Sequence, residues 1–313
     1  MKFTVIKLKP KGPFHIGFRE GWLESTRAFV PADTLFSALC HCYRMLYGDL
    51  LPLLERFRTS SPPFLISSAF PFRGDRYYFP LPKNQMPADK KLKKAQFVDL
   101  QCMEQLLAGV LLEKLGKDQD LIASDGDRPW RISSVPRIGL SRMNNHPNED
   151  FFYFGQVSYD QDAGLFVLLR VEEESLRKQT LALFMLMSQE GLGGDRSVGR
   201  GHFYTPEVKE LDIAVPADSD ACYTLSPYYP DGAETAILRD SYYELEERRG
   251  YIFSPDGRSL RRCSVRMLAE GSVLNGAQHP KGKLVDVTPE MFTAHRVYRS
   301  GCLMALPCRR EVV

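Results

Sequence analysis

Apolar and polar positions alternate at the start of the chain: Phe3, Val5 and Ile6 stand among lysines and a threonine, which predicts a strand over 2–9. The period then lengthens. Leu35, Ala38, Leu39, Cys42 and Leu46 share one face of a helix predicted over 31–47, with Asp33 placed to cap its start. Apolar runs at 64–70 and 77–81 bracket Arg73-Gly74-Asp75-Arg76 and predict a hairpin. Leu100, Met103, Leu107 and Val110 predict a helix over 98–115, and a polar, acidic loop follows to 128. Residues 130–142 are extended and rich in arginine. The segments 151–159 and 165–171 are predicted to pair antiparallel through 160–164. Leu176, Thr180, Leu183, Phe184 and Met187 then predict a helix over 175–190, and extended chain resumes at 203–205 and 208–213.

Further short strands are predicted at 222–226, 242–246, 250–254 and 264–268. This pattern is α+β, with antiparallel sheets and few helices. A first domain is expected over 1–206, carrying an insertion at about 83–128, and a second over 207–313 behind a linker at 214–218.

Composition narrows the choices. At 313 residues, 43% hydrophobic and 26% charged, the chain is long enough for two domains with real cores. A net charge of +2 means that any nucleic-acid contact must come from local basic patches. No apolar run is long enough to span a bilayer, and the first residues lack the apolar core of a signal peptide, so a cytoplasmic location is expected. Seven cysteines without a C-x-x-C pair suit a reducing compartment. Cys40-His41-Cys42 lies within an apolar helical pattern and is read as buried thiols, not a metal site; no metal or cofactor is expected.

One stretch is not built for a core. Residues 191–201 hold five glycines, Arg196, Arg200, Asp195 and Ser197. Glycine admits close backbone approach, successive N–H groups can cradle an anion, and guanidinium forks match phosphate. Gly194 to Gly199 has the G-x-x-x-x-G spacing of a P-loop, but Arg200-Gly201 replaces Lys-Ser/Thr and the helix precedes the loop, so an NTPase reading fails. Arg196 stands where a dinucleotide fingerprint needs its third glycine. A second glycine-punctuated basic loop runs Lys11-Gly12-Pro13-Phe14-His15-Ile16-Gly17-Phe18-Arg19.

A glycine-rich basic loop between the last helix and last strand of a ferredoxin-like unit resembles the signature loop of the RAMP superfamily of CRISPR RNA-binding proteins. Four places, in order, sharpen that resemblance. They are Phe14-His15-Ile16-Gly17 with residues 32–38; Val135-Pro136-Arg137-Ile138-Gly139-Leu140-Ser141-Arg142 with Phe152-Tyr153-Phe154; 191–203; and Ala269-Glu270-Gly271-Ser272-Val273 with 286–289 and 297–301. Together they resemble the family of fourth subunits of the Csm complex, the type III-A CRISPR effector.

The resemblance implies two tandem ferredoxin-like (RRM-like) RAMP domains and no catalysis. It implies a subunit that caps the repeat-derived 5′ handle of the crRNA. Its partners would be the large polymerase-like subunit on one side and the backbone RAMP subunit on the other. The residues expected at RNA are Lys11, Phe14, His15, Gly17 and Arg19; Arg137, Ser141 and Arg142; Gly191, Gly193, Gly194, Asp195, Arg196, Ser197, Gly199, Arg200 and Gly201; and Arg249. Their chemistry suits a single strand held by stacking, N–H groups and guanidinium. Phe203 is expected to anchor the following strand in the core.

Three other readings stay open. A metal-independent crRNA-processing ribonuclease would use His15 as base, with Lys11 or Arg196 stabilising developing charge. A metal-dependent nuclease would need Asp33, which is better explained as a helix cap. An assembly subunit would make no RNA contact at all.

Overall fold

A computed structural model of the chain describes residues 1–312 except 19–20, 60–61, 116–119, 125, 142, 144–145, 255–259 and 277–279, and omits the side chains of 147–150. In chain order the first region contains β1 (Lys2–Leu8), α1 (Ala32–Tyr47), α2 (Leu51–Arg58), β2 (Leu65–Ile66), β3 (Phe70–Arg73) and β4 (Arg76–Pro80). It continues with β5 (Ala95–Asp99), α3 (Leu100–Leu107), β6 (Leu121–Ala123), β7 (Trp130–Leu140) and β8 (Pro147–Tyr159). β9 (Ala163–Arg170), α4 (Glu174–Glu190) and β10 (Glu207–Asp212) complete it.

An antiparallel sheet runs in the order β10-β1-β9-β3-β4-β5-β6, with β2 added against β9. Burial on both faces explains the apolar runs in β1 and β9. Lys7 is tolerated inside β1 because its ammonium donates to the Gly74 carbonyl at 2.8 Å and lies 4.3 Å from the Phe72 ring. The hairpin expected around 73–76 is present, with Phe72 opposite Tyr77. Helix α1 packs on α4.

Several expectations change. The helix expected over 98–115 is only α3. Its start is fixed by Asp99, whose carboxylate accepts from the Cys102 N–H at 2.8 Å, and Gly109 at φ 90° follows its end. The residues before it form β5, so the expected insertion at about 83–128 extends the main sheet through β5 and β6. β8 does not pair with β9. β9 already has β1 on one side and β2 and β3 on the other, so β8 pairs with β7 in a long hairpin of its own. β10 pairs with β1 along its length, which puts 207–212 in the first sheet although the first domain was expected to end at 206.

The remaining chain contributes β11 (Ala221–Thr224), β12 (Leu245–Arg248), β13 (Val265–Leu268), β14 (Val273–Asn275), β15 (Leu284–Asp286), β16 (Tyr298–Ser300) and β17 (Ala305–Cys308). They form one three-stranded sheet, β14-β11-β17, and two strand pairs. Among the described residues this region has no α-helix, only a 3-10 helix over Gly232–Leu238. It is not a free-standing lobe. Tyr223, Leu225, Met304 and Leu306 share one apolar core with β1, β9 and α1.

Asp33 is not a cap. The N-cap of α1 is Pro31, with no side-chain hydrogen bond, and the Asp33 carboxylate is buried against two arginines of the C-terminal region. Arg248 donates through Nε at 3.1 Å and Nη2 at 2.9 Å, and Arg299 donates through Nη1. Burial alone would raise this carboxyl, but the two guanidiniums overrule it and hold it at about 2.

Candidate nucleic-acid interface

Helix α4 ends at Gly191, with φ 81°, and the chain turns back through Leu192, which is buried. Asp195 adopts a left-handed conformation (φ 61°) and is followed by a 3-10 turn over Arg196–Val198 and by Gly199 at φ 84°. Two glycines are required by close approach. A Cβ on Gly193 would overlap the carbonyl oxygen of His15, and one on Gly201 would overlap that of Leu192. Both positions also have positive φ.

The neighbour that approaches so closely is the protein itself. Gly194 N–H donates to His15 O at 3.0 Å, Gly201 N–H to Pro13 O at 3.1 Å and Leu192 N–H to Gly201 O at 2.9 Å. Lys11 N–H donates to His202 O at 2.8 Å. Thus Gly194 and Gly201, expected at RNA, bind the loop to residues 13–15, and Gly191 is buried against the loop's own Arg196 and Arg200. Gly193, expected like Gly191 and Gly194 to admit an RNA backbone, remains exposed, as does the tip. Ser197 and Gly199 are exposed, and nothing lies within 4 Å of where a Gly199 Cβ would be.

The β7–β8 hairpin closes the other side. Opposed residues share a face, so Val135 with Phe154, Arg137 with Phe152 and Ser133 with Gln156 lie on one surface. That surface meets the glycine loop. The Arg137 Nη1 lies 2.7 Å from Asp195 Oδ2, and the Arg200 Nε lies 3.8 Å from the same oxygen. Arg200 also donates to the Gln156 side chain. Both guanidiniums sit over the Phe154 ring, at 4.8 and 5.6 Å, and the His15 ring lies 4.4 Å from it. Two arginines thus share one aspartate, leaving a local cationic surplus at the root of the hairpin. The hairpin's opposite face is apolar and exposed at Ile138, Phe151 and Tyr153, the last two rings meeting edge-on at 5.2 Å.

Several expected residues have other duties. Phe14 is a core residue, stacked 5.9 Å from Tyr159, and cannot line a groove. His15 is 8% exposed; its Nδ1–H donates to Gly155 O at 2.9 Å, and burial lowers its pKa, so it is a neutral structural ring. Phe203 is fully buried, as an anchor should be. Arg249 is not brought to the loop; it forms a two-pronged surface pair with Glu247 at 2.9 and 2.8 Å. Ser141 lies at the hairpin's far end, where its Oγ accepts from Met143 N–H at 3.3 Å. Gly17 is exposed beside His15, and the Lys11 ammonium is 5.9 Å from the Tyr204 ring. Arg19 and Arg142 lie outside the described residues.

Residues 217–308 match the family model described as the CRISPR Csm4 C-terminal domain. Along nearly the whole chain the similarity is to proteins named Csm4. That of Thermococcus onnurineus is 26% identical, covering 97% of this chain and 96% of the relative. That of Mycobacterium tuberculosis is 29% identical, covering 93% and 94%. The chain is thus similar to Csm4 proteins from end to end. Solved Csm4-containing structures share its fold: a Csm1–Csm4 cassette in complex with cA4 aligns at TM-score 0.65 and 22% identity over 99% of this chain and 98% of that one. A Csm3–Csm4 subcomplex of a type III-A interference complex aligns at TM-score 0.65 and 19% identity, over 98% and 99%.

The glycine loop lies before the part matched by the family model, so its geometry carries the site. Sequence reasoning missed four members. Phe154 and Gln156 are legible only once β8 is paired with β7, because the register decides which face they take. His41 and Phe253 meet edge-on at 4.9 Å, and Arg196 lies 4.6 Å over the Phe253 ring. Nothing in the local sequence signals that contact between α1, the glycine loop and the C-terminal region. The Asp33 carboxylate, ligated by two guanidiniums and sealed from solvent, is not placed to hold a catalytic metal.

Proposed function

We propose that this chain is the Csm4 subunit of a type III-A CRISPR effector, a non-catalytic crRNA-binding component of antiviral defence acting in the cytoplasm. It caps the repeat-derived 5′ handle and bridges the large polymerase-like subunit to the backbone RAMP subunit. The observation that carries this reading is the junction of the glycine loop and the β7–β8 hairpin. There Arg137 and Arg200 meet on Phe154 beside Asp195, while Arg196, from the same loop, lies over Phe253, and the Ser197–Gly199 tip stands exposed. Guanidiniums stacked on aromatic rings at a surface suit phosphate and splayed bases. The relatives' presence in Csm1–Csm4 and Csm3–Csm4 structures supports a bridging position.

The strand order β10-β1-β9-β3, with α1 after β1 and α4 after β9, is that of a β-α-β-β-α-β ferredoxin-like unit. It supports a RAMP reading of the first region. We read the division between regions as falling after 212, near the stretch expected as a linker, a reading that the β1–β10 pairing supports. No helix among the described residues is long and apolar enough to cross a membrane.

The test is binding of the chain, together with its large-subunit partner, to crRNAs with intact or scrambled handles. Wild type and Arg196→Ala/Arg200→Ala are compared across a salt series, and the RNA ends are checked for cuts. We expect handle-dependent binding, no cleavage, and a log–log salt slope shallower by about one for each phosphate contact removed. Equal binding of both RNAs by both proteins would leave only an assembly subunit. Cleavage abolished by His15→Ala would establish the nuclease instead.

A further inference from the structure

Arg196 differs from the other arginines expected at RNA in what holds it. Arg137 and Arg200 share Asp195, and Arg249 is paired with Glu247. Among the described residues, the Arg196 guanidinium has no carboxylate in ion-pair range and makes no hydrogen bond; it rests 4.6 Å from the Phe253 ring. A cation over an aromatic face is attracted by the ring quadrupole, yet its in-plane N–H donors stay uncommitted. An ion pair would instead occupy those donors and offset the charge that draws an anion.

The loop fixes the rest of Arg196. Its carbonyl accepts from Gly199 N–H at 3.1 Å and lies 3.1 Å from His202 Nε2. The other ring nitrogen of His202 lies 2.6 Å from Gln189 O, in the last turn of α4. The Arg196 stem passes over Gly191, where a Cβ would come within 3.3 Å of Cγ. What the loop leaves unset is the direction of the guanidinium.

Phe253 is not a core residue, being 61% exposed. Its neighbours are anchored on both sides. Ile252 is buried among Val265, Met267 and Val287, and its N–H donates to Leu260 O at 2.8 Å; Ser254 Oγ lies 2.8 Å from His295 Nε2. The His41 ring of α1 meets Phe253 edge-on at 4.9 Å. Burial, and then the charge of Arg196, lower the His41 pKa, so the ring behind Phe253 is neutral and does not repel the guanidinium. Arg196 and Phe253 line one open hollow together with Ser197 of the exposed tip.

We infer that Phe253 is a positioning residue: through its ring, the C-terminal region aims Arg196 into this hollow and contributes to RNA binding without touching RNA. The inference rests on the RNA-binding reading above.

The full chain alone tests the aiming. In a nitrogen–proton correlation spectrum of its arginine side chains, the Arg196 Nε–H is identified by its loss in Arg196→Ala. That signal should carry a ring-current shift that Phe253→Leu removes and Phe253→Tyr retains. A signal unmoved by Phe253→Leu would overturn the inference. Binding to a crRNA with an intact handle, with the large-subunit partner present, tests the contribution. Phe253→Leu should weaken it about two- to fivefold, the size of an exposed cation–π contact, and Phe253→Tyr should bind as wild type does. In an Arg196→Ala background, Phe253→Leu should cost nothing further. Wild-type affinity in Phe253→Leu would overturn the inference. So would an equal loss in both backgrounds: with the urea midpoint unchanged the ring touches RNA or the partner itself, and with the midpoint lowered its role is only structural. No handle-dependent binding by the wild type, with the Arg196 shift still lost in Phe253→Leu, would sink the capping role alone.

Discussion

Two arginine clusters in this protein are made of the same parts and differ in what surrounds them. Around Asp33, Arg248 and Arg299 are buried and clamp one carboxylate between α1 and the C-terminal region. Around Asp195, Arg137 and Arg200 also share one carboxylate, but they are partly solvated and lie on an aromatic ring beside an open loop. In the first cluster, three guanidinium hydrogen bonds to one buried carboxylate offset its desolvation, so removing one member strands the others. In the second, water and an incoming anion can replace Asp195. Burial separates a rivet between α1 and the C-terminal region from a partly solvated cluster proposed to bind.

The sharpest way to break this contrast is Asp33→Ala. Leaving two buried guanidiniums without a carboxylate should cost about 3–5 kcal/mol, read as a fall in the urea midpoint or as loss of cooperative unfolding. A change within 1 kcal/mol would show that the C-terminal region is not held through this point. The acid limb of stability provides a gentler probe. Asp33 is held at about 2 against 3.8 for the free group, so its contribution is complete above pH 3.8 and lost as pH falls toward 2. That window should hold about 2 kcal/mol, and Asp33→Asn should flatten it.

Next in size is Gly193→Ala. A left-handed alanine costs about 1–2 kcal/mol, and its Cβ must also displace the His15 carbonyl. Thermal unfolding should register the backbone cost, and RNA affinity should fall because the loop and hairpin root no longer meet. Arg137→Ala and Arg249→Ala form the smallest and most discriminating pair. Each should change stability by less than about 1 kcal/mol. Only Arg137→Ala should make the salt dependence of RNA binding shallower, since Arg249 is paired to Glu247 elsewhere.

The first sheet's main elements were legible because their information is local. Periodicity marked α1, α4, β1 and β9, and a glycine–aspartate turn marked the β3–β4 hairpin. Strand partners were not legible: β8 and β9 adjoin in sequence, yet β9 is already flanked by β1 on one side and by β2 and β3 on the other, and β8 pairs with β7. The same limit governed the site. Five glycines announced a close approach, but only the fold reveals that His15, and not a ligand, fills the space at Gly193. Asp33 stood where a cap belongs, and its true partners lie more than two hundred residues away.

The hairpin's anchorage has a mechanical consequence. Its base is clamped by Gly155, which is hydrogen-bonded to Leu23 on one side and to the His15 ring on the other, while the strands run on beyond it. Eight residues of β8 precede Gly155, a reach of about 25 Å in extended chain. Such an arm works as a lever: a tilt of about two degrees at the fulcrum sweeps its end through roughly one ångström. The glycine loop touches the hairpin through Asp195 and Arg200 near that fulcrum, so a displacement of the loop would be magnified at the far tip.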